Sequence, residues 1–292
     1  MIISFASGKG GTGKTTLSTN FAVFLEEHLK NNGSELYFLD CDVEEPNAAL
    51  FLKPIIDDTE RVNIMVPTVD FTKCNFCGKC AEVCAYNAIA VMKNNVLIFA
   101  ELCHGCGGCT LLCPKKAISE IPREIGLIEK GRAGRINFLH GRLNVGEPMA
   151  TPLIKVLKKQ IQDARSKITV IDVPPGTSCP VIESVKNSDF TVLVTEPTPF
   201  GLNDLHLAAE TLKKLKIPAG VIINRSGKGD QLIEKYCREK ELPLLLKIPM
   251  DIEIAKAYSR GETIFSRDRR YQTGFNTLFK KILELVDKRD IL

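Results

Sequence analysis

Nowhere in the 292 residues does an apolar run approach the ~20 that a membrane-spanning helix requires, so an integral membrane protein is not expected. Nor does a basic stretch followed by an apolar one open the chain. What reads as a strand starts at Ile2 and a glycine-rich loop arrives by Gly8, which leaves no room for a secretory leader and places the protein in the cytoplasm. Low-complexity tracts are missing too, and apolar and charged fractions of 44% and 25% fit a globular rather than a disordered chain. Excess charge of one sign is slight: Lys+Arg 39 stand against Asp+Glu 35, a net +4 that supports no nucleic-acid partner. The length accommodates one large α/β domain, or such a domain with a small module.

Cysteine is what the chain has in abundance. Eleven cysteines without an export signal read as metal ligands rather than disulfides, and eight of them fall between Cys74 and Cys113. Cys74-x₂-Cys77-x₂-Cys80-x₃-Cys84 is followed by Cys103-x₂-Cys106-x₂-Cys109-x₃-Cys113-Pro114, a duplicated bacterial ferredoxin run. In such runs the first three cysteines wrap one cubane and the fourth ligates the other. One [4Fe–4S] cluster is therefore assigned to Cys74, Cys77, Cys80 and Cys113, the second to Cys103, Cys106, Cys109 and Cys84. Zinc ribbons also use C-x₂-C pairs, but two pairs per site rather than two runs of four. The first run ends Cys84-Ala85 without the proline of the pattern, which touches the local turn and no ligand. With eight thiolates holding two clusters of roughly −2 each, the net charge falls to about zero. His104, inside the second run, reads as a solvated loop residue, and Cys41 and Cys237 as small buried ones.

Outside this region short apolar runs alternate with helical patterns. Strands are expected at 2–6, 35–39, 168–171, 190–195, 220–223 and 243–248, and helices at 15–30, 152–164, 181–187, 202–216, 231–239 and 273–288. Near-continuous apolar strands belong in a sheet buried on both faces, so the fold class is α/β, a doubly wound and mostly parallel sheet. Residues 1–65 and 120–292 form this domain and 66–119 a small inserted module. Within the second part, 120–150 reads as a return path of short strands and turns around Gly126, Gly131, Gly134 and Gly141.

Gly8-Lys9-Gly10-Gly11-Thr12-Gly13-Lys14-Thr15-Thr16 fits G-x-x-x-x-G-K-[ST] between an expected strand and an expected helix, the context a phosphate-binding loop needs. Its backbone N–H groups, from Gly10 through Thr16, and the helix N-terminus would cradle phosphates. Lys14 would neutralise the β and γ oxygens, and the Thr15 hydroxyl would ligate Mg²⁺. With the extra lysine, G-K-G-G-x-G-K-T-T resembles the deviant Walker A loop of the MinD/ParA/Mrp/nitrogenase iron protein superfamily of P-loop ATPases, here containing an inserted two-cluster bacterial ferredoxin domain. The resemblance implies that Lys9 reaches the phosphates of a partner subunit, hence a homodimer when ATP is bound. It implies that Asp42, in Asp40-Cys41-Asp42, positions water or links to Mg²⁺, and that Asp172, in Val170-Ile171-Asp172-Val173-Pro174-Pro175-Gly176, holds Mg²⁺ through water. Asn224 is similar to the superfamily's adenine-reading asparagine, and Pro249-Met250-Asp251 to the segment walling the base.

Cys179, after Gly176-Thr177-Ser178, lies where the nitrogenase iron protein carries a cluster ligand, which makes it a candidate redox or bridging residue. Neither a second bridging cysteine nor the C-x-x-C of Mrp-type carriers accompanies it. Gly146-Glu147-Pro148-Met149-Ala150-x-Pro152 also resembles the ferredoxin-containing group, with no role attached. Together these features lead to an ATPase using ATP, Mg²⁺ and two [4Fe–4S] clusters, in which dimer switching is coupled to electron transfer toward a redox or maturation partner. The alternatives are a scaffold or maturation ATPase with structural clusters, and a positioning ATPase acting on membrane or DNA. The amphipathic 273–288 segment reads as the last helix covering the sheet, so membrane contact is not expected. Arg267-Asp268-Arg269-Arg270 reads as a solvated turn.

Overall fold

The computed structural model describes residues 1–30, 33–161, 167–264 and 269–287. The strands are β1 (Ile2–Ala6), β2 (Glu35–Asp40), β3 (Ile55–Val69), β4 (Ile89–Met92), β5 (Asn95–Ile98), β6 (Ile118–Ala133), β7 (Ile136–Leu143), β8 (Lys167–Asp172), β9 (Phe190–Thr195), β10 (Ala219–Ser226) and β11 (Leu244–Pro249). Nine of them make one sheet in the order β11-β10-β9-β1-β8-β2-β7-β6-β3, with β4 and β5 paired separately. From β11 to β7 all neighbours are parallel; β6 and β3 are antiparallel additions at one edge. Every residue of β9 is buried, as a strand covered on both faces requires.

The helices are α1 (Lys14–His28), α2 (Ala48–Leu52), α3 (Lys79–Glu82), α4 (Gly108–Leu111), α5 (Thr151–Lys159), α6 (Cys179–Val185), α7 (Pro199–Lys214), α8 (Asp230–Glu239), α9 (Ile252–Ser259) and α10 (Arg269–Asp287). One face of the sheet packs on α1 and α10. There Phe5, Phe21, Phe24, Phe275 and Phe279 stack within one cluster, with centroids 5.4 Å apart for Phe5–Phe21 and 6.2 Å for Phe21–Phe275. Residues of α5, α6, α7 and α8 fill the other face. The apolar stripe of α10 (Phe275, Leu278, Ile282) is spent on this core, and Lys281 donates to the carbonyls of Leu244 and Leu245, so the helix covers the sheet as expected. Residues 162–164, Lys288 and the Arg267–Asp268 part of the basic turn lie outside the described residues.

The stretch 120–150 differs from its expectation. Instead of short strands it supplies most of β6 and all of β7, and β7 pairs in parallel with β2 from Leu36↔Ile136 to Asp40↔His140. Gly134 does lie in the turn between β6 and β7, but Gly126, Gly131 and Gly141 sit inside the ladder. Gly131, for instance, packs so close to the Ile55 backbone that a Cβ would stand 2.1 Å from its carbonyl oxygen. β6 runs antiparallel to β7 only from Ala133 to Gly126; its N-terminal half, Ile118 onward, continues beyond the C-terminal ends of the parallel strands together with the distal half of β3. Eight residues at ~3.4 Å make an arm of about 27 Å. Residues 70–117 hang from its tip, where Asp70 donates its N–H to the Ala117 carbonyl at 2.7 Å.

Phe275→Ala is expected to lower unfolding free energy by about 3–5 kcal/mol in a denaturant titration; an unchanged midpoint would mean that α10 does not complete the core.

Candidate functional site

A parallel sheet gathers the C-terminal ends of its strands, and their loops, along one edge. Here that edge carries the glycine loop after β1, Asp40-Cys41-Asp42 at the end of β2, Asp172 at the end of β8, Glu196 just past β9, Asn224–Arg225 in β10, and Met250–Asp251 after β11. They surround a cavity of about 520 Å³ lined by Gly10 through Thr16, Asp42, Asn224, Arg225 and Pro249 through Asp251. Gly13 makes the loop possible: its φ is 90°, and a Cβ there would lie 2.3 Å from Asn224 Nδ2. Asn224 in turn donates to the Thr12 carbonyl at 2.7 Å. Its amide thus braces the loop, a role beyond the one its resemblance suggests.

Lys14 is buried among carboxylates. Its Nζ lies 3.4 Å from Asp172 Oδ1 and 3.8 Å from Asp42 Oδ2. Burial opposes its charge, but Asp172, Asp42 and Asp40 more than offset that, so its pKa rises above the ordinary lysine value. Asp172 also accepts from the Thr15 hydroxyl at 2.6 Å. Asp40 is fully buried and accepts from the backbone N–H groups of Asp42 and Ala48, which makes it the brace of the strand end. Burial and the neighbouring Asp172 push its carboxyl well above the usual range. Asp42 reaches about 6, raised by burial and held back by Lys14. At the mouth, Lys9 Nζ stands 3.8 Å from Glu196, which also pairs with Arg225; Arg225 reaches the Gly11 carbonyl at 3.2 Å. Glu196 and Arg225 carried no role in the sequence reading; the signal that could have found them is their position at strand ends on this edge.

The tip unit repeats itself. Left-handed backbone recurs 29 positions on, at Phe76 and Gly105, Gly78 and Gly107, Asn87 and Lys116. So do N–H···S hydrogen bonds, Phe76 to Cys74 and Gly105 to Cys103 at 3.4 Å, Ala88 to Cys84 and Ala117 to Cys113 at 3.3 Å. Two small cavities result. Cys74, Cys77, Cys80 and Cys113 line one; Cys84, Cys103, Cys106 and Cys109 line the other. The fourth cysteine of each run thus crosses to the cavity of the other. His104 is an exposed loop residue, as expected, and its ring also stacks on the exposed Tyr86 with centroids 3.4 Å apart. Among the described residues no three His, Cys, Asp or Glu side chains gather to hold a single metal ion. Cys41 and Cys237 are buried; Cys179 is exposed at the start of α6, apart from both cavities.

Asp42 is expected to titrate near pH 6 in the nucleotide-free protein, followed through its carboxyl carbon by NMR, and to move higher in Lys14→Ala, since Lys14 is what holds it down. The raised value opposes folding: the unfolded carboxyl, at ~3.9, ionises first, so Asp42's contribution to stability falls as pH rises from there to about 6. A titration near the free-carboxyl value would remove Asp42 from this charge cluster.

Residues 3–264 match the family described as the CobQ/CobB/MinD/ParA nucleotide binding domain. The chain is 30% identical over 288 residues to an uncharacterized protein of Methanocaldococcus jannaschii, with 98% of each chain covered. It is 25% identical over 286 residues to the iron-sulfur cluster carrier protein of Pyrococcus horikoshii, covering 89% of this chain and 77% of that one. Among solved structures, the septum site-determining protein MinD from Pyrococcus horikoshii, complexed with Mg-ADP, superposes with a TM-score of 0.59 at 21% identity, over 96% and 95% of the two chains, a likeness of fold. With the match spanning most of the chain and the glycine loop at the C-terminal edge of its sheet, the protein belongs to the MinD/ParA family of P-loop nucleotide-binding ATPases.

Proposed function

We propose that this protein is an iron–sulfur ATPase in which nucleotide-driven dimer switching is coupled to electron transfer through two [4Fe–4S] clusters held by the inserted ferredoxin-type module. The observation that carries the reading is the pair of four-cysteine cavities, mounted on an arm that rises from the nucleotide edge of the sheet. The donor sets suit clusters: each cavity offers four thiols, two of which already accept backbone N–H groups that would favour thiolate. A cubane takes one cysteine per iron, so its ligands stand further apart than ligands sharing one ion. Bound there, such clusters would each take up or release one electron. The similarity to an iron-sulfur cluster carrier agrees with this chemistry.

The nucleotide site fits the same reading. Thr12 Oγ1 is buried without a partner among the described residues, a donor suited to a phosphate oxygen. Lys14 would turn from Asp172 and Asp42 toward the phosphates, and Mg²⁺ would be held by the Thr15 hydroxyl with Asp42 and Asp172 nearby, where Thr15 and Asp172 now bond directly. Asp42, ionised above its pKa of about 6, would orient water. Asn224 would read the base on release from Thr12. Lys9 is only loosely held by Glu196, with its side chain 36% exposed, and is free to reach a second copy. The scaffold alternative uses the same sites with the clusters as structural elements.

Anaerobically reconstituted protein should hold about eight iron and eight sulfide per chain, and MgATP should shift its reduction midpoints in an EPR-monitored titration. Clusters whose midpoints ignore MgATP would favour the scaffold reading; no clusters would end both. Lys14→Ala should abolish nucleotide-stabilised dimers in light scattering, whereas Asp42→Ala should keep the dimer and stop phosphate release. A monomer with full ATPase activity would overturn the role of Lys9.

A further inference from the structure

The two cysteine cavities repeat in backbone but not in placement. The second run is seated on the arm itself. Gly105 has φ 62°, and a Cβ there would lie 3.2 Å from the Met65 carbonyl oxygen and 3.5 Å from Ile64 Cβ. Cys103 is buried in one core with Val62, Ile64, Val66 and Ile125 of the two arm strands. The cavity of Cys84, Cys103, Cys106 and Cys109 is therefore the one nearer the ATPase sheet.

Across the ladder from Ile64 is Arg123. Its guanidinium grips Glu147 with two prongs, at 2.5 and 3.1 Å, and the Glu147 side chain is only 3% exposed. Arg123 Nε is buried with no hydrogen-bond partner among the described residues, and Glu101, then Cys103, lie near enough to act on the same guanidinium. Glu147 sits in the segment that leaves β7, in the motif to which the sequence attached no role. That segment is tied in both directions. Asn144 donates its N–H to Ile125 of the arm at 2.9 Å, and Leu143 donates to the carbonyl of Val43, next to Asp42, at 2.8 Å.

We propose that the Arg123–Glu147 ion pair couples the nucleotide site to the nearer cluster: Arg123 is a positioning cation that favours the reduced cluster, and Glu147 sets how much of its charge the cluster feels. The inference rests on the cluster reading above. A four-thiolate cubane is anionic and gains a further negative charge on reduction, so a nearby cation raises its potential and a carboxylate on that cation takes part of the rise back. Asp42 would help hold MgATP, and the Val43–Leu143 bond would then pass any displacement of Asp42 to the segment holding Glu147. The farther cavity, lined by Cys74, Cys77, Cys80 and Cys113, meets the arm only at its tip, through Val69 and Ile118, and has Lys79 and Lys115 on its wall.

The test is an anaerobic EPR-monitored titration of the full chain after iron and sulfide have been counted. Arg123→Gln should lower one of the two midpoints and Glu147→Gln should raise the same one, each by about tenfold in the reduction equilibrium, or about 59 mV for one electron. Arg123→Lys should stay near wild type, and the MgATP-induced shift of that midpoint should shrink in Glu147→Gln. With cluster content intact, shifts of equal sign, no shift, or an undiminished MgATP effect would overturn the coupling. Should Arg123→Gln fail to fold, Glu147→Gln and Arg123→Lys still decide the sign. Wild-type protein that retains no iron would instead sink the reading beneath it.

Discussion

One buried cation holds the nucleotide edge of this protein together. Lys14 faces Asp172 and Asp42 across 3.4 and 3.8 Å, with the fully buried Asp40 close behind. Without the lysine, three carboxylates would share a nearly dry pocket, a much larger electrostatic cost than the cation itself imposes. The arrangement is poised rather than satisfied. Lys14 is pulled by carboxylates, Asp42 is raised to about 6, and the Thr15 hydroxyl occupies Asp172. Because the lysine, the carboxylates and the hydroxyl are linked to one another, a change at any one of them shifts the rest.

The second constraint is topological. A central parallel sheet needs helices on both faces, and α1 with α10 on one side and α5 through α8 on the other provide them. An insertion into such a sheet has few places to leave from. This chain uses the edge beside β2, where β7 extends the parallel order and β6 and β3 reverse it. Because β6 and β3 are about twice as long as their neighbours, their surplus has to project. It projects from the end where the parallel strands finish and the glycine loop lies. The cysteine unit therefore shares an end of the molecule with Asp42, and the β7 exit segment lies between them.

Much of this was legible in the residues. Strand positions for β1, β8 and β9 follow from apolar runs, the glycine loop from its glycines and lysine, and the two four-cysteine runs from their spacing. Spacing suggested that the fourth cysteines interleave; in the fold the fourth cysteine of each run lines the other run's cavity. Residues 120–150 were not legible as long strands, because glycines that read as turns serve there to let backbones approach. His104 is exposed as its loop position suggested, but nothing in a linear run of cysteines shows that Tyr86 will lie against it.

The sequence by itself determined the chemistry on offer: a loop able to curl around phosphate, carboxylates at strand ends, and eight thiols in two sets of four. Those depend on residue type and on spacings of a few positions, which local geometry converts directly into shape. Only the tertiary structure decided which groups meet across long separations. Arg123 and Glu147 are distant from the glycine loop in sequence, Glu196 is paired with both Lys9 and Arg225, and Ile64 lies beneath Gly105. Such meetings are set by strand order, register and the length of an arm, which are properties of the assembled sheet and not of any segment within it.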